Sequence, residues 1–391
     1  MVNYDDLIQF ASVRQVEYID AIKKFGSHRK AAKHLGVDST TIDSAIKSLK
    51  NKAASKGHSP EHDMIHTVPD GYLVKGVSTL YDSDGVKKIQ WVKSTVDSER
   101  QAEIMKATIA ALSEEVRGLS PKINKINKSN SELLVVYPFG DPHFGMQAWA
   151  KECGENFDLK EARRVTLGAV DRLLSVSPNS ETAILLPLGD IYHVNDQTNT
   201  TPGHKNQLDA DSRFVHILQI GIETFRYCIL RALQKHNKVI VRFVSGNHDP
   251  QAVWALAFTI AAYFDNEPRV SVDLSPAKCW YYKFGNNLIG STHGDLTKPE
   301  QLLGVMASDQ AVNWGLTKHR TWLCGHVHHS SVKEYPGVTV ETFRTLAAAD
   351  AYAAGHGYRA GRDMRSIVYD KEHGEIERHR CDIGMINDFL E

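Results

Sequence analysis

Three things are scarce in this 391-residue chain: cysteine, net charge and long apolar runs. Its five cysteines, Cys153, Cys228, Cys279, Cys324 and Cys381, are odd in number, widely scattered and without a CxxC pair. That argues against a disulfide framework and for a reducing cytosol. No apolar run approaches the roughly 20 residues of a membrane span, and the N-terminus, MVNYDDLIQF, has acids where a signal peptide has bases. The expectation is a soluble cytoplasmic protein with no membrane partner. The formal net charge is only −1, but it hides an asymmetry. Residues 1–58 carry ten Lys/Arg against six Asp/Glu, whereas residues 131–391 carry 26 against 31. A basic head on an acidic body implies two jobs, and the length exceeds what one hydrophobic core usually organises.

Residues 1–58 read as three short helices. In VRQVEYIDAIKKFG, Val16, Ile19, Ile22 and Phe25 recur at helical spacing, and Gly26 stops the helix. In HRKAAKHLGVDSTTIDSAIKSL, Ala31, Ala32 and Leu35 make a small apolar face and Gly36 permits a tight turn. Asp38 or Ser39 can then cap a helix that buries Ile42, Ala45, Ile46 and Leu49. The layout resembles a helix-turn-helix, which makes DNA the expected partner. Arg29, Lys30 and Lys33 on the second helix, with Thr40, Thr41, Ser44 and Lys47 on the third, suit phosphates and base edges, while Asp43 would repel the backbone. The competing use of such a unit is dimerisation or packing, so a homodimer stays open. Residues 59–96 predict a wing-like β-hairpin, GYLVKGVSTLY and VKKIQWVK about the turn DSDG. Residues 97–130 read as a helical segment followed by the polar linker PKINKINKSN.

From residue 131 to 391 the pattern changes. ELLVVYPFGD, TAILLPLGD, VIVRFVSGN, NNLIGSTHGD and TWLCGHVHH are apolar runs that each end in a glycine or a metal-type ligand. They read as buried strands with chemistry at their carboxyl ends, and the long helical stretches between the first three serve as crossovers. The fold class is α/β, two sheets sandwiched by helices, with the strand-rich last part completing the second sheet.

The chemistry sits at those strand ends. Asp141 and His143 share a tight loop in GDPHFG, a pair that occurs often by chance. Asp190 in LGDIYH, Asn247 and His248 in SGNHDP, His293 in STHGD, and His326 and His328 in CGHVHH turn the odds. Hard oxygen mixed with imidazole nitrogen suits Mn²⁺, Fe or Zn²⁺, while Mg²⁺ prefers fewer imidazoles. The set suggests two divalent cations with one bridging carboxylate, manganese favoured.

These ordered segments resemble the five motifs of the calcineurin-like metallophosphoesterases over roughly residues 134–345. The resemblance implies a four-layer α/β/β/α sandwich. It implies one metal held by Asp141, His143 and His328, another by Asn247, His293 and His326, and Asp190 bridging both. It further implies in-line attack of water on phosphorus, with His248 protonating the leaving oxygen and Asp249 orienting it. One position departs: a common version of the pattern has an aspartate three residues after the bridging one, and here that residue is His193. His193 is therefore either a second imidazole facing substrate or a surface histidine. Arg344, Arg359 and Arg362 lie in FRTL and GYRAGR after the last motif and are candidates to grip phosphate. The layout also resembles proteins encoded by bacterial viruses. The expected function is a phosphodiesterase or nuclease brought to DNA by its head, the cytoplasm being that of a bacterial host. The runner-up is a phosphomonoesterase or cyclic-nucleotide phosphodiesterase whose head sets location or oligomeric state. A DNA-binding protein with a dead phosphoesterase fold ranks below both, since no ligand position is lost.

Overall fold

Apolar side chains of the first strand after the linker serve two cores at once, and this sets the architecture in the computed structural model of the chain. Residues 4–390 are described, except 63, 65–66, 69–71, 85, 97–102, 104–106, 108 and 112. The chain divides into two compact units at Ala110/Ala111.

In the N-terminal unit, α1 (Val13–Phe25), α2 (His28–Leu35) and α3 (Ser39–Ser55) enclose a small core of Leu7, Tyr18, Ile19, Ile22, Ala31, Ala32, Ile42, Ile46 and Leu49. Every helix start is capped: Ser12 makes a capping box with Gln15, Ser27 accepts from Lys30 N, and Asp38 accepts from Thr40 N at 2.8 Å. Gly26 and Gly36 end α1 and α2 in left-handed conformation, where an L side chain would be strained. A hairpin follows, β1 (Tyr72–Tyr81) antiparallel to β2 (Lys87–Val96), and Lys56 Nζ donates to Tyr72 O at 2.9 Å. Of its predicted turn, Gly85 lies outside the described residues, as does much of the helical segment expected after residue 97.

The second unit holds two sheets. A six-stranded sheet runs β13-β12-β3-β4-β5-β6, from β3 (Asn130–Phe139), β4 (Ser180–Pro187), β5 (Lys238–Arg242), β6 (Val270–Asp273), β12 (Asp363–Asp370) and β13 (Gly374–Asp382). Strands β3 to β6 are parallel, while β12 is antiparallel to β3. A five-stranded sheet runs β10-β11-β9-β8-β7, from β7 (Trp280–Phe284), β8 (Asn287–Thr292), β9 (His319–Cys324), β10 (Ser331–Tyr335) and β11 (Val338–Thr342).

Period-two alternation divides the side chains between layers. Val135, Tyr137, Ala183, Leu185, Val239 and Val241 face the crossover helices, Leu159–Val176, Phe214–Leu233 and Ala252–Tyr263. Leu134, Val136, Ile184, Leu186 and Ile240 face the other way, onto Trp280, Ile289 and Leu323 of the second sheet. Leu288, Trp322, Val338 and Val340 pack beneath Leu302 and Met306, on the helix Leu302–Asp309. Helix, sheet, sheet, helix: the unit is a four-layer mixed α/β sandwich.

Two expectations need correction. The strand-rich tail does not simply complete the second sheet, because β10 and β11 join it but β12 and β13 extend the first beside β3. Nor is the stretch before residue 130 a free linker throughout. Gly118 N and Ser120 N donate to the carbonyls of Ala262 and Tyr263, Arg269 donates to Ile123 O at 2.7 Å, and Val116 and Ile123 pack on the main core. Composition flagged polarity, whereas pairing with distant carbonyls decides attachment. Among the described residues, no helix is long and apolar enough to cross a membrane.

Candidate metal centre

Five strands deliver the ligands. The loop after β3 carries Asp141 and His143, that after β4 Asp190, that after β5 Asn247 and His248, that after β8 His293, and that after β9 His326 and His328. Asp141, His143, Asp190, His326 and His328 have positive φ, between 34° and 69°, a region that side-chain-bearing residues seldom occupy. The glycine before a ligand is what lets the loops close. A Cβ on Gly246 would meet Asp190 Oδ1 at 2.0 Å, and one on Gly325 would meet Asp141 Oδ1 at 2.2 Å.

The donors fall into groups whose ligand atoms lie within 4.8 Å of one another: Asp141, His143 and His328 in one, Asp190, His293 and His326 in another. His328 Nε2 is 2.9 Å from Asp141 Oδ2 and 3.2 Å from His143 Nε2. His293 Nε2 is 3.2 Å from Asp190 Oδ2 and 3.0 Å from Asn247 Oδ1. Since a carbonyl only accepts, His293 Nδ1 donates to Leu188 O at 2.8 Å, which turns Nε2 inward toward Asp190 and Asn247. Asp141 is 1% exposed, its Oδ2 accepts from His326 N, and its Oδ1 has no hydrogen-bond partner. A buried anionic oxygen left bare beside imidazole nitrogens is a site that divalent cations complete, so the residues fit two such ions.

Electrostatics agree with ligand chemistry at His143 and His326 and depart from it at His293 and His328, where carboxylate neighbours favour the protonated ring unless a cation takes the proton's place. Burial lowers the His143 and His326 imidazoles and takes His193 down to about 3, which keeps these rings neutral. Burial opposes ionisation of Asp190, but His293, with His248 and His143, outweighs it and holds the carboxyl far below its usual range. Burial also opposes protonation of His293, yet Asp190 carries it up to about 10.

Not every expected residue has its expected place. His193 is 2% exposed, so it is no surface histidine. Its Nδ1 lies 3.3 Å from His143 Nδ1, its ring stacks on His248 at 5.3 Å, and its carbonyl accepts from His248 Nδ1 at 2.9 Å. Asp249 does not orient His248. Its carboxylate accepts from Gly246 N, Ile191 N and Tyr192 N at 2.8–3.1 Å, lashing two motif loops together. Burial, then the Asp190 charge, pushes it up to about 7.

The three arginines turn to protein partners. Arg344 pairs with Asp363 at 2.8 Å, Arg359 donates to the carbonyls of Ala354 and Tyr358, and Arg362 binds Leu346 O and Glu155. In the N-terminal unit, Arg29, Lys30, Lys33, Thr40, Thr41, Ser44 and Lys47 are all exposed. The troublesome Asp43 is paired with His28 at 2.5 Å, although Thr40 spends its hydroxyl on Asp38. Sequence reasoning missed Thr345, whose Oγ1 donates to Asp141 O at 2.7 Å. It also missed Asn195, whose Oδ1 accepts from Gln251 N and Ala252 N and so ties the Asp190 loop to the start of the helix Ala252–Tyr263. For Asn195 the available signal was a polar residue close after the ligand Asp190, whereas Thr345 lies far in sequence from every ligand.

Solved structures similar to this chain are distant from it in sequence. A predicted phosphoesterase from Streptococcus pneumoniae is 10% identical over 64% of this chain and 98% of its own, with a TM-score of 0.27. A dimetal phosphatase from Danio rerio is 9% identical over the same shares, with a TM-score of 0.36. Vps29 from Entamoeba histolytica, complexed with zinc, is 15% identical over 64% of this chain and 98% of its own, with a TM-score of 0.28. These structural neighbours are metallophosphoesterase-type folds. No protein family and no curated protein matches the sequence.

Proposed function

We propose that the chain is a two-metal phosphodiesterase or nuclease that acts on DNA and is brought to it by its N-terminal helices. The observation that carries the hydrolase half is the convergence of seven donors from five strand ends, with Asp141 Oδ1 buried and unpartnered. Asp141, His143 and His328 would hold one ion, Asn247, His293 and His326 the other, and Asp190 would serve both. Divalent cations bound there supply Lewis acidity, drawing charge from the phosphoryl oxygens and making water acidic enough to attack.

The protein's own part is positional and protic. Hydrogen bonds donated to Leu188 O by His293 and to the Asp249 carboxylate by backbone amides fix the ligand loops before substrate arrives. His248 donates through Nδ1 to His193 O, so its Nε2 is free to carry a proton to the leaving oxygen, which as an alkoxide leaves poorly. His193 holds His248 by its carbonyl and stacking ring and stands against the outer nitrogen of His143. It is a positioning residue where an aspartate would be usual.

The targeting half is supported by the exposed Arg29, Lys30, Lys33 and Lys47 beside capped helices. The test is a Mn²⁺-dependent panel of single- and double-stranded DNA, RNA, cyclic nucleotides, the monoester p-nitrophenyl phosphate and the diester bis(p-nitrophenyl) phosphate. Turnover of DNA and of the small diester is expected. Turnover of phosphomonoesters or cyclic nucleotides alone would overturn the reading.

A further inference from the structure

Two segments leave the metal centre and meet again at the surface. One runs from His143 to the short helix α4 (Ala150–Cys153), the other from Thr345, which holds Asp141 O, to α10 (Ala351–Gly355), and α4 and α10 lie against each other. Neither segment is long: seven residues reach at most about 25 Å. Both end in exposed aromatic rings, Trp149 at 58%, Tyr352 at 63% and Tyr358 at 59%.

Burial cannot explain rings this open, and their geometry is ordered. The Tyr352 and His356 rings sit 4.0 Å apart, tilted at 34°, and His356 and Tyr358 stack 5.9 Å apart at 29°, so the His356 ring lies against both tyrosines. The middle one is pinned by His356 Nδ1 donating to Tyr352 O at 2.8 Å. The end rings therefore present open faces without having to be ordered on binding. Cations accompany them: Lys151 Nζ lies 5.3 Å from the Trp149 ring centre, and the Arg359 guanidinium is held at the end of α10 by Ala354 O. Of the acids on these segments, Asp350 is spent capping α10, Asp158 caps the next helix and Glu155 pairs with Arg362, which leaves Glu152 to set against Lys151 and Arg359.

We propose that Trp149, Tyr352, His356 and Tyr358, with Lys151 and Arg359, form a base-stacking platform that receives single-stranded nucleic acid and leads it to the metal centre. Flat rings accept any base, and the interleaved cations meet the backbone between them, the recurrent chemistry of sequence-tolerant single-strand binding. A duplex, with its bases stacked on one another, offers these rings nothing. This rests on the phosphodiesterase reading and narrows its substrate to unpaired strands.

The test uses the full chain in Mn²⁺ with a fluorescein-labelled, phosphorothioate-linked dT 20-mer, a duplex of equal length, and bis(p-nitrophenyl) phosphate. The pair Tyr352→Ala/Tyr358→Ala should weaken binding of the single strand by roughly 30- to 100-fold, and Trp149→Ala by about tenfold. Phe at both tyrosines should restore affinity to within about twofold, since only the ring face is needed. Duplex affinity and small-diester turnover should not change, and retained turnover shows that the variants fold. Unchanged single-strand affinity in the double variant, no measurable binding by the wild type, an equal loss on duplex, or a change of mass in sedimentation would each overturn the platform. Absent diester turnover in the wild type would instead sink the phosphodiesterase reading, leaving the platform to be judged by binding alone.

Discussion

The two units solve opposite problems. In the N-terminal unit the three α-helices each start on a side-chain cap, and the glycines at Gly26 and Gly36 have open space around them. In the second unit five ligands have positive φ, glycines sit against carboxylates, and one carboxylate oxygen has no partner. Local rules are obeyed in the first and broken in the second. Each left-handed, side-chain-bearing residue costs on the order of 1–3 kcal/mol, which only a well-packed sandwich sustains. The lesson is that strain concentrates at the ligand loops, which hold five of the seven left-handed side-chain-bearing residues described, Asn199 and Lys205 being the others.

The sharpest test removes the tolerance for close approach. Gly246→Ala drives a methyl into the Asp190 carboxylate and should abolish turnover and metal loading, by at least about 10³-fold in rate, read by elemental analysis and diester hydrolysis. Asp190→Asn should act alike without disturbing the backbone, because an amide cannot supply the charge that the two proposed ions would share. Near-normal rate with two metals bound would break the comparison. His248→Ala should keep both metals and slow the reaction by about 10²- to 10⁴-fold, less for substrates with acidic leaving groups. Equal loss on every substrate would make His248 a phosphate contact and no acid.

Smaller effects probe stability. His236 is buried between Tyr137 Oη at 3.0 Å and Ser180 Oγ at 2.8 Å, and burial takes its imidazole down to about 3. The unfolded chain therefore binds a proton that the folded one refuses. This cost is absent above the unfolded value near 6.5 and grows as pH falls toward 3, reaching roughly 1–3 kcal/mol at pH 4. Thermal melts at pH 7 and pH 4 should show His236→Gln losing less stability on acidification than the wild type. At the bottom of the scale, Gly26→Ala should cost about 1 kcal/mol by chemical denaturation and leave diester turnover untouched.

What could be read in advance follows the same division. The strand-end motifs were legible because burial on both faces demands apolar runs, and close packing demands the glycines at Gly140, Gly189, Gly246 and Gly325. The caps at Asp38 and Gly36 were legible because caps are local. Arg344 and Arg362 were not, since their partners Asp363 and Glu155 lie 19 and 207 positions away and no local pattern pairs them. Asp249 misled for a related reason: adjacency to His248 in sequence suggested a pair, while its carboxylate points to the amides of Ile191 and Tyr192. The burial of His193 depends on the loop after β3 folding across it, again a distant event.

Strand β3 has one more consequence, for synthesis. It pairs with β4 on one side and with β12, from near the other end of the chain, on the other. The ribosome must therefore add the 231 residues from Phe139 to Asp370 before that second edge is covered. At roughly 5–20 residues per second this takes on the order of 10–50 s, during which the strand that leads into Asp141 exposes a bare, apolar edge to other chains. Long-range pairing of this kind folds slowly. Yield from a cell should therefore respond more to growth temperature and chaperone supply than to any substitution in the helical head.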